Sequence, residues 1–179
     1  MRKGNYMDSA EFWSYVERAR TESPDSVASQ AEELRRVLRE SSAESVAAFD
    51  IAFIERTLEL YTWDLWGVAS QLLGGCSDDS FADVRSWVVA QGREFFESCR
   101  DDPMVLAGGH LDDPEETGEA EHLSYVAAEV YTELTGRSID EDYPDRPSPV
   151  PAESPEGAPW DEDDDDALSE RFPGIVPLL

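Results

Sequence analysis

The sequence predicts an all-α fold: a single helical bundle of about five main helices, followed by an extended, proline-rich and acidic C-terminal arm. Apolar residues recur at three- and four-residue spacing over much of residues 8–139, which is the period of an amphipathic helix. Alternating runs of β-branched residues, which would indicate strands, are almost absent. Eight of the eleven prolines lie in residues 144–177. We therefore expect a helical domain over residues 8–139 and an arm over residues 140–179.

Capping patterns place the first two helices. Asp8 followed by Glu11 resembles a capping box and predicts a helix over about residues 9–20. Either Asp25 or Ser26 is expected to cap the second helix. The residues expected to face inward on these two helices are Phe12, Val16, Ala19, Val27, Ala31, Leu34 and Leu38.

One long central helix is predicted next, from a cap on Ser41 or Ser42 to a stop at Gly74 and Gly75. Its apolar residues keep a 3-4 spacing without interruption, at Ile51, Ile54, Leu58, Tyr61, Leu65, Val68 and Leu72. A second apolar ridge follows the same helix, at Val46, Phe49, Phe53 and Leu60. Because so wide a stripe touches more than one neighbour, we expect this helix in the middle of the bundle.

Two further helices complete the predicted bundle. The fourth begins near Ser77, and its inward residues are Phe81, Val84, Val88, Phe95 and Cys99. A short helical turn follows Pro103. Residues 110–121 contain six acidic residues without apolar periodicity and are predicted to be a solvated loop. The last helix stops at Gly136, and its inward residues are Leu123, Val126, Ala127, Val130 and Leu134.

The composition changes from Asp140 onwards, where 13 acidic residues face only two arginines. Closely spaced prolines around Pro149 favour an extended polyproline stretch. Beyond Trp160 an acidic run precedes apolar residues at helical spacing, which predicts a short helix near residues 164–172 that docks on the body. The alternative is a disordered acidic tail, which the composition alone also fits.

Charge limits the possible partners. The chain has 41 acidic and 14 basic residues, a formal net charge of −27, and its lysine count is one. Binding to nucleic acid needs clustered Lys and Arg, so no direct nucleic-acid partner is expected. A basic protein partner fits this field, as does a charge that serves solubility alone. The sequence leaves the oligomeric state open.

Compartment follows from what the sequence contains. The first residues do not form the apolar core of a signal peptide, and no window approaches the roughly 18 apolar residues of a membrane span. Cys76 and Cys99 are better interpreted as reduced thiols than as a disulfide. We therefore expect a cytoplasmic protein with no membrane partner.

The turn between the third and fourth helices suggests an enzyme. A thiol at a helix N-terminus, here Cys76, can have a lowered pKa and act as a nucleophile. Asp78 and Asp79 argue against this because neighbouring anions disfavour a thiolate. In the structural interpretation the glycines stop one helix, Ser77 caps the next, and the two aspartates favour its positive end.

A metal site is a second possibility for catalysis. Glu119 and His122 form a Glu-x-x-His pair, a spacing that di-iron bundles use. Those proteins need the pair twice and two more carboxylates, whereas this sequence has it once. His110 and Asp112 add donors to an acidic loop that lacks a fixed geometry. No cofactor and no specific metal site is therefore expected.

Two tryptophans on the central helix suggest a recognition groove. Trp63 and Trp66 are three residues apart and lie on one helix face, and Gly67 permits close approach of another backbone. Trp is enriched where binding energy concentrates. The structural alternative is helix packing in which Asp64 bonds an indole or a cap. Trp160 in the arm is a further candidate binding residue.

Five strings of the chain belong together, and they are Tyr61-Thr62-Trp63-Asp64-Leu65-Trp66-Gly67, Gly74-Gly75-Cys76-Ser77-Asp78-Asp79, Gln91-Gly92-Arg93-Glu94, Tyr125-Val126-Ala127-Ala128-Glu129 with Thr135-Gly136, and Pro159-Trp160-Asp161-Glu162-Asp163-Asp164. Over about residues 7–172 they resemble a bacterial family of small acidic proteins whose name records only that its function is unknown. The resemblance implies an autonomous single domain that includes the C-terminal Trp-acidic string. It carries no catalytic residues.

The hypothesis that these observations favour is a non-catalytic helical binding or regulatory module whose acidic surface recognises a basic protein. The alternative is an enzyme of unknown reaction that uses the turn from Cys76 to Asp79 with Glu119 and His122.

Overall fold

The computed structural model describes residues 7–23, 26–108, 111, 113–161 and 165–178. Asp25, His110, Asp112 and the middle of the acidic run at residues 162–164 lie outside these ranges. The helices are α1 Ser9–Glu22, α2 Val27–Arg39, α3 Ala43–Glu59, α4 Trp63–Leu73, α5 Asp78–Ala90, α6 Arg93–Asp101, α7 Glu115–Glu119, α8 Glu121–Thr135, α9 Ile139–Asp142 and α10 Asp165–Arg171, with a 3-10 turn at Pro103–Ala107. The described residues contain no strand, which confirms the predicted all-α class. None of the described helices is long and apolar enough to cross a membrane.

The prediction of one continuous central helix is wrong. It is divided into α3 and α4, because Thr62 takes an extended conformation and its Oγ1 accepts a hydrogen bond from Leu65 N at 3.2 Å, which caps a new helix. The 3-4 spacing continues through this break because both helices bury their apolar residues in one core. Leu60 and Leu65, on either side of the break, are each 1% exposed.

The predicted fourth helix is also divided, at Gly92 between α5 and α6. Gly92 has φ of +92°, a conformation that L side chains rarely adopt. A Cβ at this position would lie 2.2 Å from Glu17 Oε1, and the same oxygen accepts a hydrogen bond from Arg93 N at 3.2 Å. The positive φ therefore favours glycine here, whereas the end of the flexible Glu17 side chain can move aside at little cost.

Residues 110–121 are not wholly the predicted solvated loop. They include α7, and Leu111, Thr117 and Ala120 are buried. The Thr117 hydroxyl donates to Pro114 O at 2.8 Å, which satisfies it inside the core. A helix of five residues is too short to show a periodicity, so the pattern gave no sign of it.

The core is continuous through the bundle. α3 packs against α1, α5 and α8, and α2 packs against α1 and α8. Phe12 and Phe49 stack at its centre with ring centroids 5.0 Å apart. On α8 the predicted inward face is shifted, since Leu134 is 44% exposed and Tyr131 is buried instead.

Candidate functional site

α4 carries three of the predicted binding residues on its first turns. The Trp63 and Trp66 rings are stacked, with centroids 5.6 Å apart and an interplanar angle of 8°. Trp66 also stacks on Phe81 of α5, at 5.0 Å. Both indoles remain partly accessible, which leaves an aromatic wall on the outer face of the helix.

The C-terminal segment, defined as residues 156–161 and 165–178, lies against this wall. Trp160 meets the Trp63 ring edge-on at 5.9 Å, and its Nε1 donates to Trp63 O at 3.1 Å. Further along the chain Phe172 and Leu168 are 7% and 9% exposed. The structure therefore brings the predicted residues Trp63, Trp66 and Trp160 into one cluster.

Gly67 sets the depth of this contact. A Cβ at Gly67 would lie 2.7 Å from Phe172 Cε2 and 3.0 Å from Leu168 Cδ1. Real Cβ atoms are almost never this close to another heavy atom, so a side chain here would push the segment away. The close approach expected at Gly67 is made by these two side chains rather than by another backbone.

Asp64 has a partner that the sequence pattern did not indicate. It pairs with the Arg171 guanidinium, 107 residues further along the chain, and not with an indole or a helix cap. Arg171 Nη1 also donates to Ala158 O at 2.8 Å. This arginine thus ties α10, the extended residues before it and α4 together.

A cavity of about 920 Å³ lies between α4, the turn at residues 74–78 and the C-terminal segment. Four predicted candidates line it, namely Trp66, Cys76, Asp78 and Trp160. Its apolar wall continues along the segment at Leu168, Ile175 and Pro177.

The Cys76 thiol stays protonated in this setting. Burial, and to a smaller extent the negative charge of Asp83, raises its pKa to about 12. Asp78 and Asp79 are exposed in the first turn of α5, where Ser77 Oγ accepts from Ser80 N at 3.2 Å. The environment therefore disfavours the thiolate that the enzyme hypothesis needs.

The other members of that hypothesis lie elsewhere. Glu119 is at the end of α7 and His122 is in the first turn of α8, both exposed. Neither lines the cavity beside Cys76. Within the described ranges, no group of three or more His, Cys, Asp or Glu side chains has a geometry that would hold a metal ion.

A second surface, which we call the acidic groove, was missed by the sequence interpretation. This cleft of about 490 Å³ lies between α3, α5, α8 and residues 146–150, and the buried Arg85 and the Asp50-paired Arg146 also line it. Its rim carries Asp79, Asp83 and Glu121 beside Tyr125 and Val150, whose side chains are 53% and 69% exposed. The available signal was the four-residue spacing of Asp79 with Asp83 and of Glu121 with Tyr125.

Electrostatic repulsion is built into the acidic groove. Partial burial, followed by the charges of Glu121 and Asp79, raises the pKa of Asp83 to about 6, and the positive charge of Arg85 opposes this shift only in part. Among the described residues, none of these three carboxylates forms an ion pair.

Almost all of the described arginines form ion pairs with carboxylates of the same chain. Every described arginine except Arg85 pairs with a carboxylate. Arg85 is 2% exposed; its Nη1 donates to Thr57 O at 3.1 Å, and its guanidinium lies 4.8 Å from the centre of the Tyr61 ring. Among the described residues Asp79, Asp83 and Glu121 therefore have no arginine ion-pair partner, and Arg85 acts on Asp83 only at longer range.

Comparison with known proteins gives a family but no activity. Residues 7–133 match the sequence profile of a family described as "Protein of unknown function (DUF4240)". This range includes α4 and the acidic rim at Asp79, Asp83 and Glu121, and it ends before Trp160. No curated protein and no solved structure matches the chain.

Proposed function

The chain belongs to this family of unknown function, and we propose that it is a helical binding module that recognises a basic protein through its acidic surface. The proposal is supported by one observation above all. The described arginines other than Arg85 are already paired, whereas Asp79, Asp83 and Glu121 converge without such a partner. A cation placed between these carboxylates relieves their mutual repulsion.

The acidic groove also suits the shape of a basic side chain. Lysine and arginine carry an apolar stem below a charged head. Tyr125 offers an exposed ring for the stem or for a guanidinium, while Asp83 and Glu121 receive the charge. Apolar contact from Val150 distinguishes this cleft from a merely charged surface.

The proposal includes the organisation and location of the module. The body has five main helices over residues 8–139, with α3 and α4 counted as one broken helix and α5 with α6 as another. It forms the acidic groove together with residues 146–150 of the arm. Residues 140–179 form an arm on that body. The encounter is placed in the cytoplasm, where the thiols of Cys76 and Cys99 would stay reduced.

The test uses the full chain and a rhodamine-labelled peptide of three Arg-Leu-Lys repeats. One variant neutralises the rim by Asp79→Asn, Asp83→Asn and Glu121→Gln. Fluorescence anisotropy should show a dissociation constant raised at least about tenfold, and wild-type binding should weaken steeply from about 50 to about 300 mM salt.

The matched control removes three exposed carboxylates elsewhere, by Glu22→Gln, Glu55→Gln and Glu153→Gln. It should bind within about twofold of the wild type, because its rim is intact. An equal loss in both triple variants would show non-specific attraction and refute the acidic groove as the binding site.

A further inference from the structure

The outer face of α4 has the features of a peptide-binding groove that is already occupied. It offers a main-chain pair at its start, where Trp63 N donates to Glu156 O at 2.9 Å and Glu156 N donates to Tyr61 O at 3.0 Å. It offers Gln71 in its third turn, whose Nε2 donates to Leu168 O at 2.8 Å. At the far end Leu72 O accepts from Leu178 N at 2.8 Å. These contacts follow the whole helix, about 16 Å for eleven residues.

Side-chain positions are recognised along the same face. The Trp63 and Trp66 wall receives Trp160, and the hollow at Gly67 receives Leu168 and Phe172. Asp64 receives Arg171. Main-chain bonds supply affinity and the separate subsites supply selectivity, which is how extended and helical peptides are bound by proteins in general.

The occupant is an imperfect fit. The cavity of about 920 Å³ remains open between the segment and α4, and Val176 of the segment is 77% exposed. The two parts also repel each other, since residues 1–139 carry 28 acidic and 12 basic groups, net −16, and residues 140–179 carry 13 and 2, net −11. The tether keeps the segment at a high local concentration despite this repulsion.

The match to the family profile covers the groove but does not extend to its occupant. α4 lies inside residues 7–133, which match the family profile, whereas the C-terminal segment lies outside that range.

We propose that the face of α4 is a recognition groove for a peptide segment of another protein, and that the chain's own C-terminal segment occupies it as a displaceable ligand. The partner carries an aromatic residue followed by the pattern Leu-x-x-Arg-Phe, as in Leu168 to Phe172. It lacks the acidic run, because a neutral or basic segment binds the net negative body without repulsion. This surface is separate from the acidic groove, and the inference does not depend on it.

Displacement is measured with the full chain and two labelled peptides. One has the sequence of residues 156–178, and the other has its acids at 161–166 replaced by Asn and Gln. The variant Trp160→Ala with Arg171→Ala weakens the resident segment while leaving the groove intact. We expect it to bind both peptides at least about tenfold more tightly than the wild type, and the neutralised peptide more tightly than the native one.

Two controls separate groove binding from other effects. Adding Gly67→Val to that variant should abolish binding, because the new side chain fills the hollow. Changing Glu170→Ala with Val176→Ala, on the exposed side of the segment, should leave the wild-type affinity unchanged. The proposal is overturned by equal binding in all variants, or by a Trp160→Ala, Arg171→Ala variant that has a native circular dichroism spectrum and binds neither peptide.

A second measurement needs no variant. Excess neutralised peptide is added to the wild-type chain, and hydrogen exchange is followed at residues 165–178. Faster exchange there supports displacement, whereas unchanged exchange at saturating peptide overturns it. Sedimentation of the wild type as a dimer that the peptide dissociates would identify a second copy as the occupant and would refute the proposed partner.

Discussion

The ion pair between Asp50 and Arg146 gives the sharpest test of how the C-terminal part is attached to the body. Asp50 lies in α3 and is 3% exposed, and Arg146 Nη1 donates to its Oδ2 at 2.5 Å. Arg146 Nε also donates to Asp140 Oδ1 at 2.7 Å, and the arginine side chain is 14% exposed. Arg146→Met keeps most of the apolar stem but leaves the Asp50 carboxylate buried without its cation.

Breaking a buried pair from one side destabilises by about 3–5 kcal/mol. We expect the lower end, about 3 kcal/mol, because the position of Arg146 at the edge lets water reach the carboxylate. For a chain of this length that corresponds to a fall in Tm of about 6–12 °C. Asp50→Asn should destabilise by only about 1 kcal/mol, since a neutral amide is less costly to bury and Asp140 still pairs with Arg146.

The effect of Arg146→Met depends on pH in a defined direction. Burial raises the pKa of Asp50, and Arg146 opposes this shift, so the variant raises that pKa further. A carboxyl whose pKa is higher in the folded state binds more protons there, so the free energy of unfolding decreases as pH rises through the window between the two pKa values. The deficit of the variant should therefore be small near the unfolded pKa of 3.8 and larger at neutral pH.

The assay is denaturant unfolding of wild type, both single variants and the double variant at about pH 4.5 and about pH 7.5. The double variant should resemble Asp50→Asn alone, which gives a coupling of about 3 kcal/mol at the higher pH. Additive single effects, or a deficit for Arg146→Met that is equal at both pH values, would refute the reasoning.

Two further predictions concern the body. Leu65→Asp on α4 should destabilise the protein by about 3–5 kcal/mol, because Leu65 is 1% exposed and an unpaired carboxylate would be buried there. Val176→Asp, at a position that is 77% exposed, is the control. Full retention of thermal stability in Leu65→Asp would place Leu65 outside the core. Asp83→Asn should raise Tm near pH 7.5 more than near pH 4. The pKa of Asp83 is raised from 3.8 to about 6 in the folded protein, so ionisation of this carboxyl lowers the free energy of unfolding of the wild type as pH rises through this window. An equal rise in Tm at both pH values would contradict this origin.

The helical class was predictable because it rests on local spacing, but two helix breaks were not. Periodicity reports which residues reach the core, and it continues across Thr62 because α3 and α4 serve the same core. The break itself depends on the side-chain cap at Thr62, and threonine also occurs inside helices. At Gly92 the decisive feature is the φ of +92°, and a single glycine in the sequence does not by itself indicate a positive φ.

At the candidate site, only the contacts between residues close in sequence could be predicted. The spacing of Trp63 and Trp66 correctly indicated one shared face. The ion pair of Asp64 with Arg171 spans 107 residues, and the rim of the acidic groove combines Asp83 of α5 with Glu121 of α8. Contacts of this kind depend on how elements pack, and no pattern within one helix specifies them.

The two arginines of the C-terminal part explain how an acidic arm can lie on an acidic body. Residues 140–179 contain only Arg146 and Arg171, and these pair with the body carboxylates of Asp50 and Asp64. Elsewhere the arm meets the body through apolar groups such as Phe172 and through uncharged hydrogen bonds such as that from Gln71 Nε2 to Leu168 O, which do not depend on net charge. Added salt screens the general repulsion between exposed charges more than it weakens the partly buried pairs. Moderate salt should therefore hold the arm more firmly on α4 while it loosens a basic partner from the acidic groove, so the two surfaces respond to ionic strength in opposite directions.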